Sequence, residues 1–496
     1  MTTTDSRPVL RFEDGASQGL YGAIYAAALE NLLATNTVPY GEVHARSGLM
    51  DPAVGMVRAG GGYEQPWTRD ATINSWNATS LLAPALAANT LWAVVEKDAA
   101  GKLTAQQDSQ QWDQVIWTIG AWHHYLVTGD RGFLQRAYDV VTNTLAVREP
   151  AAVFGRDARY GLFTGPSFFN DGVSGFPAPT ADGEESRGSE STSYPDVVSA
   201  MYLSTNALYY AAYTRVAEMA DALGRPADGH RAKAAAIKQA INQHFWNPRT
   251  GSYNYELTAD GRPGVYQEGA GLAFTLLFGI ADAAQASSLI SNAQRMTWGM
   301  PDTFPHWDRY SSAEPGRHNA IVWPLVQGLW AKGLAKHGDV ERFATETRLL
   351  AALVRRSGGF WEIYDGNTGA VEGGYQGATG VLKRRWDSQP DQTWSATAFI
   401  DMIHTGLFGM TFDSRGLTFA PTLPAGWGDV TLSGLGYRDA VLTVTLRGTG
   451  NVIRSFNLDG TSSTEYDVSA SLHGHHTIDI TLDPSQTLGG RRVLGR

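Results

Sequence analysis

Two acidic side chains set among aromatic residues are the strongest sign of chemistry in this 496-residue sequence. Asp171 follows two phenylalanines, and Glu362 lies between Trp361 and Tyr364. Hydrolysis of a glycosidic bond needs one carboxylic acid to protonate the leaving oxygen and one carboxylate opposite it. In an inverting enzyme that carboxylate activates water, and the pair stands roughly 6.5–9.5 Å apart. We therefore predict Asp171 as the general acid and Glu362 as the general base.

The prediction for Asp171 depends on its apolar neighbours. Phe168 and Phe169 would shield its carboxyl from water and raise its pKa, as a general acid requires. The structural alternative is an ordinary turn, because Asn-Asp-Gly is a common turn sequence. Glu190 and Asp196 are the other candidates for the acid, although Asp196 also suits the N-terminus of a helix.

The prediction for Glu362 depends on the strand-like alternation around it. If this segment is extended, Glu362 and Tyr364 point to the same side. A hydrogen bond from the tyrosine hydroxyl would then keep the carboxylate ionised, as a base requires. The structural alternative is a solvated glutamate at a strand edge. Glu372, just before Gly373-Gly374, is the rival base.

Mixed aromatic and polar side chains predict a sugar-binding pocket, because aromatic faces cover C–H surfaces while polar groups hold hydroxyls. Arg69 and Asp70, next to Trp67, can grip hydroxyl pairs, although an internal Arg69–Asp70 ion pair that serves only stability is the alternative. The other predicted substrate-binding residues share this mixed character: Trp112, Asp113, Glu268, His306, Trp307, His318, Trp323, Tyr364, Gln389 and Trp394.

The elements that would position these residues are helices in an alternating order. Six aromatic and polar clusters, each just before an apolar run, occupy residues 63–70, 110–113, 168–196, 266–268, 304–318 and 361–394. Buried inner helices are predicted at 70–80, 110–126, 195–222, 268–279, 318–336 and 391–406. Amphipathic outer helices are predicted at 15–34, 82–97, 130–148, 227–245, 282–297 and 339–357. This alternation predicts a mainly α protein, an (α/α)6 barrel or six-hairpin toroid, whose six clusters converge on one pocket.

The hydrophobic period changes from 3.6 to 2 after about residue 408. Ala440, Leu442, Val444 and Leu446 alternate with more polar positions, and glycine-containing turns separate such runs. We therefore predict a catalytic barrel over residues 1–407 and a small C-terminal antiparallel β domain, β-sandwich-like, over residues 408–496.

Composition limits the partners of the chain. The formal net charge of −10 disfavours nucleic acid and anionic membrane surfaces, so a neutral small-molecule or oligosaccharide substrate is expected. With no cysteine there is no disulfide and no thiolate metal site, and we predict no metal ligand and no cofactor, although a structural Ca²⁺ stays open. The first residues lack the pattern of a secretory signal, which favours a cytoplasmic enzyme. Whether the chain is a monomer or a homo-oligomer is left open.

At these residues the chain resembles the six-hairpin (α/α)6 glycosidases, in particular the trehalase and glycoside hydrolase family 63 group. Residues 67–70, Trp-Thr-Arg-Asp, are similar to the cluster that opens the first inner helix of that group, and the form is also similar to glucoamylases. Residues 362–365, with Gly373-Gly374 and Trp394-Ser395, resemble the stretch that holds the group's general base. Asp171 stands at the place of its general acid. The resemblance covers about residues 15–406 and implies an inverting, exo-acting α-glycosidase.

We therefore predict an inverting, exo-acting glycoside hydrolase, α-glucosidase-like, on a disaccharide or short oligosaccharide. A glycoside phosphorylase on the same toroid is the first alternative, although a glutamate at position 362 disfavours a phosphate site. A sugar epimerase or polysaccharide lyase would use His306 and His318 as proton carriers instead of Asp171. A non-catalytic sugar-binding protein would keep the aromatic residues without needing two opposed carboxylates.

Overall fold

Buried helices that follow one another along the chain form the centre of the protein. The computed structural model describes residues 7–39, 41, 45–105, 110–177, 188–377 and 383–484. Within these ranges the inner helices are Thr68–Asn74, Trp117–Thr128, Leu203–Leu223, Gly269–Leu277, Pro324–Lys336 and Thr393–Asp401. Each inner helix contacts the next one, and the sixth contacts the first, so that the inner helices close into a ring.

The ends of the inner helices depart from the predicted limits for clear local reasons. The first continues through the wider turns of Ser75–Thr79 into Ser80–Leu82, and the sixth continues through Met402–Leu407. The fifth begins only at Pro324, where a proline fits the first helical turn. The polar clusters therefore lie mainly in the loops that lead into the inner helices, although Thr68–Asp70 and Thr393–Trp394 already belong to the first turns of their helices.

An amphipathic outer helix stands beside each inner one. The outer helices are Ala23–Glu30, Pro84–Ala93, Arg131–Arg148, Asp228–His244, Ala283–Asn292 and Val340–Ser357. The last of them shows why these segments fold as they do. The Asp339 carboxylate accepts a hydrogen bond from the Arg342 backbone N–H at its start, and Gly358 ends it at a φ of 77°. Phe343, Leu350 and Val354 form its buried stripe.

Longer strands dominate after the last helix. One sheet contains, in spatial order, Val9–Phe12, Val430–Tyr437, Ala440–Gly448, Gly474–Asp483, Val452–Leu458 and Thr461–Ser463. A second contains Met410–Phe412, Gly416–Phe419 and Asp467–Ser469. The helix-rich body with C-terminal strands is thus confirmed. The prediction of a wholly antiparallel β domain is wrong, because Ala440–Gly448 and Gly474–Asp483 pair in parallel.

The N-terminal strand was not predicted from the sequence. Val9–Phe12 pairs antiparallel with Val430–Tyr437, and the Tyr21 ring stacks on Trp427 with centroids 4.0 Å apart. The beginning of the chain therefore packs on the C-terminal sheet. No helix in the described part of the chain is long and apolar enough to cross a membrane.

Short strands also brace the loops between helices. They pair Thr37–Val38 with Met56–Val57, Val95–Lys97 with Leu103–Ala105, Trp246–Asn247 with Ser252–Tyr253, Gln267–Glu268 with Thr303–Phe304, and Tyr375–Gln376 with Arg384–Arg385. Glu256–Leu257 pairs with both Met201–Tyr202 and Pro263–Gly264. These pairs fix loops that would otherwise leave backbone groups without partners.

Candidate active site

A cavity of about 150 Å³ lies where the loops before the inner helices meet. Its lining residues are Tyr63, Trp67, Arg69, Asp70, Gln110, Phe169, Asp171, Arg317, His318, Trp323, Glu362, Gln392 and Trp394. All of them except Trp323 come from five of the six predicted clusters. A cavity of this size suits a ligand of one small ring with a few polar groups, since the pockets of drug-sized ligands have volumes of roughly 300–1,000 Å³.

Glu362 is held from three sides in this cavity. Tyr63 donates its hydroxyl proton to Oε1 at 2.9 Å, and Arg317 Nη2 forms an ion pair with Oε2 at 2.8 Å. The Gln389 backbone N–H also donates to Oε2, at 3.3 Å. Burial and the Glu362 charge raise the pKa of Tyr63, which therefore stays protonated as the donor. All three groups donate to the Glu362 carboxylate, which faces the cavity and can accept a proton from water.

The tyrosine beside Glu362 is not the one predicted. Tyr364 donates its hydroxyl proton to the Gly359 carbonyl, at 3.1 Å, and accepts a hydrogen bond from the Trp361 backbone N–H. The predicted Glu362–Tyr364 hydrogen bond is therefore wrong, and Tyr63 supplies the hydroxyl in its place. Glu362 and Tyr364 do not share a hydrogen bond because the Tyr364 hydroxyl contacts Gly359, just after the outer helix Val340–Ser357.

Asp171 lines the same cavity with its side chain 33% exposed. Arg69 Nη2 and Gln110 Nε2 donate to Oδ2 at 2.9 and 3.1 Å, and His318 Nε2 stands 3.4 Å from Oδ1. Burial raises the pKa of Asp171 as expected, but Arg69 and His318 outweigh it, so that the pKa lies below its usual value. The predicted net rise is therefore wrong, and the Asp171 carboxyl is ionised at neutral pH.

Arg69 forms ion pairs with two carboxylates, but not with that of its neighbour Asp70. Its Nε stands 3.3 Å from Asp113 Oδ2, its Nη2 bonds Asp171, and its Nη1 donates to the Phe169 carbonyl at 2.8 Å. Asp70 instead accepts a hydrogen bond from Gln392 at 3.4 Å. Burial, only partly offset by Arg69, raises the pKa of Asp70 to about 7. Near neutrality its carboxyl can therefore both accept and donate hydrogen bonds to a sugar hydroxyl.

His318 is buried between two carboxylates. Its Nε2 faces Asp171, and its Nδ1 stands 3.3 Å from Asp302 Oδ2. The ring stacks on Trp323, with centroids 4.9 Å apart and planes 10° from parallel. Burial alone would lower the pKa of His318, but Asp171 and Asp302 raise it above its usual value. The imidazole is therefore set up to carry a positive charge at the wall of the cavity.

Several residues predicted to bind substrate do not line this cavity. Trp112 donates its indole N–H to the Ser167 and Phe168 carbonyls, and Asp113 lies behind Arg69. Trp307 donates to the Ser174 carbonyl, and Glu268 accepts from the Ser204 backbone N–H. Likewise outside the lining are the side chains of His306, Tyr364 and Gln389. The cluster at residues 266–268 does not contribute to the lining.

The alternative acids and the rival base also lie outside this lining. Glu190 is exposed, and Asp196 lines a separate surface cavity beside Glu256. Glu372 forms an ion pair with Arg385 at 2.6 Å and accepts from the Gly374 backbone N–H. The Arg385 ion pair and backbone hydrogen bonds lower the pKa of Glu372 against the opposing effect of burial.

Five lining residues were not predicted from the sequence as catalytic or substrate-binding, namely Tyr63, Gln110, Phe169, Arg317 and Gln392. Each lies inside one of the predicted clusters. The clusters therefore carried the signal, whereas the choice of side chain within each cluster needed the three-dimensional structure.

Comparison with known proteins gives the chemistry of this cavity a class. Residues 180–395 match the family model of the mannosylglycerate hydrolase MGH1-like glycoside hydrolase domain. Over this segment the chain is similar to glycoside hydrolases. The match includes Glu362 and His318, whereas Asp171 lies just before its start. The predicted class of enzyme, a glycoside hydrolase, is thus confirmed. No curated protein matches the chain by sequence.

Solved structures show a similar fold in other glycosidases. A family 63 mannosylglycerate hydrolase from Thermus thermophilus, in complex with glucose, has 16% identity and a TM-score of 0.55, covering 77% of this chain and 99% of its own. A sialidase structure has 14% identity and a TM-score of 0.67, covering 92% of this chain. A family 78 rhamnosidase from Bacillus sp. GL1 has 13% identity and a TM-score of 0.50, covering 96% of this chain.

The resemblance to family 63 glycosidases is confirmed by this fold and by the family model. This glycoside hydrolase spans only 40% of the sialidase chain and 44% of the rhamnosidase chain, but nearly all of the mannosylglycerate hydrolase.

Proposed function

We propose that this glycoside hydrolase is an exo-acting, inverting enzyme that cleaves a small neutral glycoside with an α-linked, glucose-like end. Asp171 protonates the glycosidic oxygen, and Glu362 removes a proton from the attacking water. The observation that carries the proposal is that both carboxylates line one small cavity, each next to its own arginine. An inverting mechanism needs two such groups with room for sugar and water between them.

Charge pairing supports a neutral substrate. Arg69 pairs with Asp113 and Asp171, Arg317 pairs with Glu362, and His318 stands between two carboxylates. Each of these cationic side chains already has an acidic partner, so an anionic sugar or aglycone would have to displace a carboxylate fixed in the protein. The small volume and the aromatic side chains Trp67, Trp323 and Trp394 suit a single terminal sugar.

The closed ring of inner helices with their outer partners supports assignment to the (α/α)6 toroids. In this proposal the catalytic barrel ends at about residue 407, and the strands from Met410–Phe412 to Gly474–Asp483 belong to a separate β domain. Val9–Phe12, which precedes the barrel helices in sequence, then pairs with a strand of the β domain.

The decisive experiment follows the first-formed anomer by NMR during cleavage of a panel of α- and β-linked disaccharides and aryl glycosides. We expect a neutral α-glucoside to be cleaved with inversion. We also expect glycosides of uronic acids or of glycerate to react at least about tenfold more slowly, because each costs a displaced ion pair. Release of the retained anomer would overturn the water-activating role of Glu362, and preference for the anionic substrates would overturn the neutral class.

An exposed tryptophan extends the proposal to the second sugar. Trp386 is 43% exposed. The Arg317 guanidinium carbon lies 5.7 Å from the centroid of the Trp386 ring and 5.3 Å from that of the buried Trp323 ring. Arg317 therefore links the cavity wall to this outer ring. We expect Trp386→Ala to raise KM for a disaccharide about two- to tenfold with kcat retained, because one aromatic contact is worth about 0.5–1.5 kcal/mol.

Steady-state kinetics with a disaccharide and with a glycosyl fluoride, which carries no second sugar, would check this prediction. Only the disaccharide is expected to lose affinity. Tyr466→Ala removes an aromatic ring of similar exposure, between the strands Thr461–Ser463 and Asp467–Ser469, and serves as the control. An equal rise of KM for both substrates would contradict the role of Trp386 at the second sugar.

A further inference from the structure

The position of His318 raises a question that the proposed function leaves open, namely where the acid obtains its proton. Asp171 is ionised at neutral pH, yet a general acid must deliver a proton. Both nitrogens of the His318 ring face carboxylates, Nε2 towards Asp171 at 3.4 Å and Nδ1 towards Asp302 at 3.3 Å. A neutral imidazole can donate to only one of them, whereas an imidazolium can donate to both.

We propose that the buried chain Asp302–His318–Asp171 holds the catalytic proton on His318 and passes it to Asp171 during cleavage. Asp171 is the catalytic acid, and His318 and Asp302 act through it as positioning residues. The inference rests on the proposed function and adds the residues that set the proton content of its acid.

The step balances with the groups present. The bond from His318 Nε2 to its proton breaks while a bond from Asp171 Oδ1 to that proton forms. Asp171 then gives the proton to the glycosidic oxygen as the bond from that oxygen to the anomeric carbon breaks, and the leaving group departs as a neutral alcohol. Glu362 takes a proton from the water whose oxygen bonds the anomeric carbon. Loss of that proton to solvent and uptake of one by His318 restore the enzyme.

Packing holds the His318 ring in place for this transfer. Its backbone N–H donates to Ser174 Oγ at 3.1 Å, and its carbonyl accepts from Thr303 Oγ1 at 2.5 Å. The ring stacks on Trp323, whose face favours a cation. The side chains of His318 and Asp302 are at most 1% exposed, so solvent does not compete for the Nδ1 contact.

The other charged groups near His318 leave this assignment intact. Arg69 lies beyond Asp171, and Glu190 is close enough to sense the imidazole charge. Burial raises the pKa of Glu268, next to Asp302, to about 8, so Glu268 is mostly neutral at pH 7. Asp70 shares the cavity and titrates at about pH 7. A pH–activity profile alone would therefore not separate the titration of Asp70 from that of His318, and the protonation of the imidazole must be measured directly.

The test begins with NMR of the full chain carrying ¹⁵N-labelled histidine, with the His318 signals identified by their loss in His318→Asn. We expect wild-type His318 to be an imidazolium at pH 7. Asp302→Asn keeps the shape but removes the negative charge at Nδ1, so the His318 pKa should fall by about one unit or more. A neutral His318 in the wild type would overturn the proposal.

Kinetics provide the second readout. If deprotonation of His318 causes the fall of kcat/KM at alkaline pH, Asp302→Asn should move this alkaline limb of the pH profile to lower pH. The shift should equal the fall of the His318 pKa measured by NMR. Asp401→Asn, which changes another buried carboxylate, paired with Lys332 at 3.0 Å, should leave the limb in place. A limb that does not move in Asp302→Asn, in an enzyme that still hydrolyses glycosides, would reduce Asp302 and His318 to a structural role.

His318→Asn separates the two roles further. We expect its kcat to fall about 10²-fold or more on a substrate with a poor leaving group. On a dinitrophenyl glycoside, whose leaving group needs no proton, the loss should be less than about tenfold. Equal losses on both substrates would overturn the proton transfer. If the wild type hydrolysed no glycoside at all, the proposed function would fail, while the NMR titration would still report on the proton of His318.

Discussion

Glu362→Gln is expected to lower kcat by about 10²- to 10⁴-fold, the range typical for loss of a general base. The amide oxygen can still accept a hydrogen bond from Arg317, and the amide NH2 can donate to the Tyr63 hydroxyl oxygen, but the amide cannot take a proton from water. Because the substitution keeps the shape of the side chain, KM should change little. Single-substrate kinetics on the best neutral glycoside, with thermal unfolding of both proteins, would measure the effect and confirm folding.

A nucleophile that needs no base makes this prediction sharper. Glu362→Ala leaves a small opening beside Arg317, and azide should enter it, restore turnover and yield the glycosyl azide of inverted configuration. Glu372→Gln is the matched control, since Glu372 is bound to Arg385 outside the cavity lining. Loss of activity in Glu372→Gln together with full activity in Glu362→Gln would transfer the base role to Glu372.

The helical part of the fold could be predicted because its determinants are local. The outer helix Val340–Ser357 shows a buried stripe, an aspartate before its first residue and a glycine after its last one. The pairing of strands is different, because alternation of apolar residues does not reveal the direction of a neighbour. Ala440–Gly448 reads the same whether its partner is parallel or antiparallel. Val9–Phe12 was too short to stand out against the helices that follow it.

The candidate site could be predicted as a set of loops but not as a set of contacts. The aromatic neighbours of Asp171 correctly indicated that burial raises its pKa, whereas the side chains that reverse this shift, Arg69 and His318, lie far away in sequence. The supposed Arg69–Asp70 pair fails because adjacent residues on a helix do not face each other. In both cases the decisive partner was supplied by another hairpin of the ring, which no local pattern could indicate.

Asp171→Asn should show a loss that depends on the leaving group. For a disaccharide, whose departing oxygen needs a proton, we expect kcat to fall about 10²- to 10⁴-fold. For a glycosyl fluoride or dinitrophenyl glycoside, which departs without one, the loss should be less than about tenfold. Comparison of the two substrates on the same protein separates proton donation from folding and binding, since damage to either of those would slow both reactions.

The outcome also decides between two carboxyls of the same cavity. Burial raises the pKa of Asp70 to about 7, so a fraction of the Asp70 carboxyls carries a proton at neutral pH. Asp171 is ionised at that pH and must receive its proton from a neighbour. Asp70→Asn should therefore weaken binding of every substrate, whatever its leaving group. Glu190→Gln, the exposed alternative, should retain activity. If the dependence on the leaving group appeared in Asp70→Asn and not in Asp171→Asn, Asp70 would be the acid, and the ionised Asp171 would instead hold the terminal sugar together with Arg69.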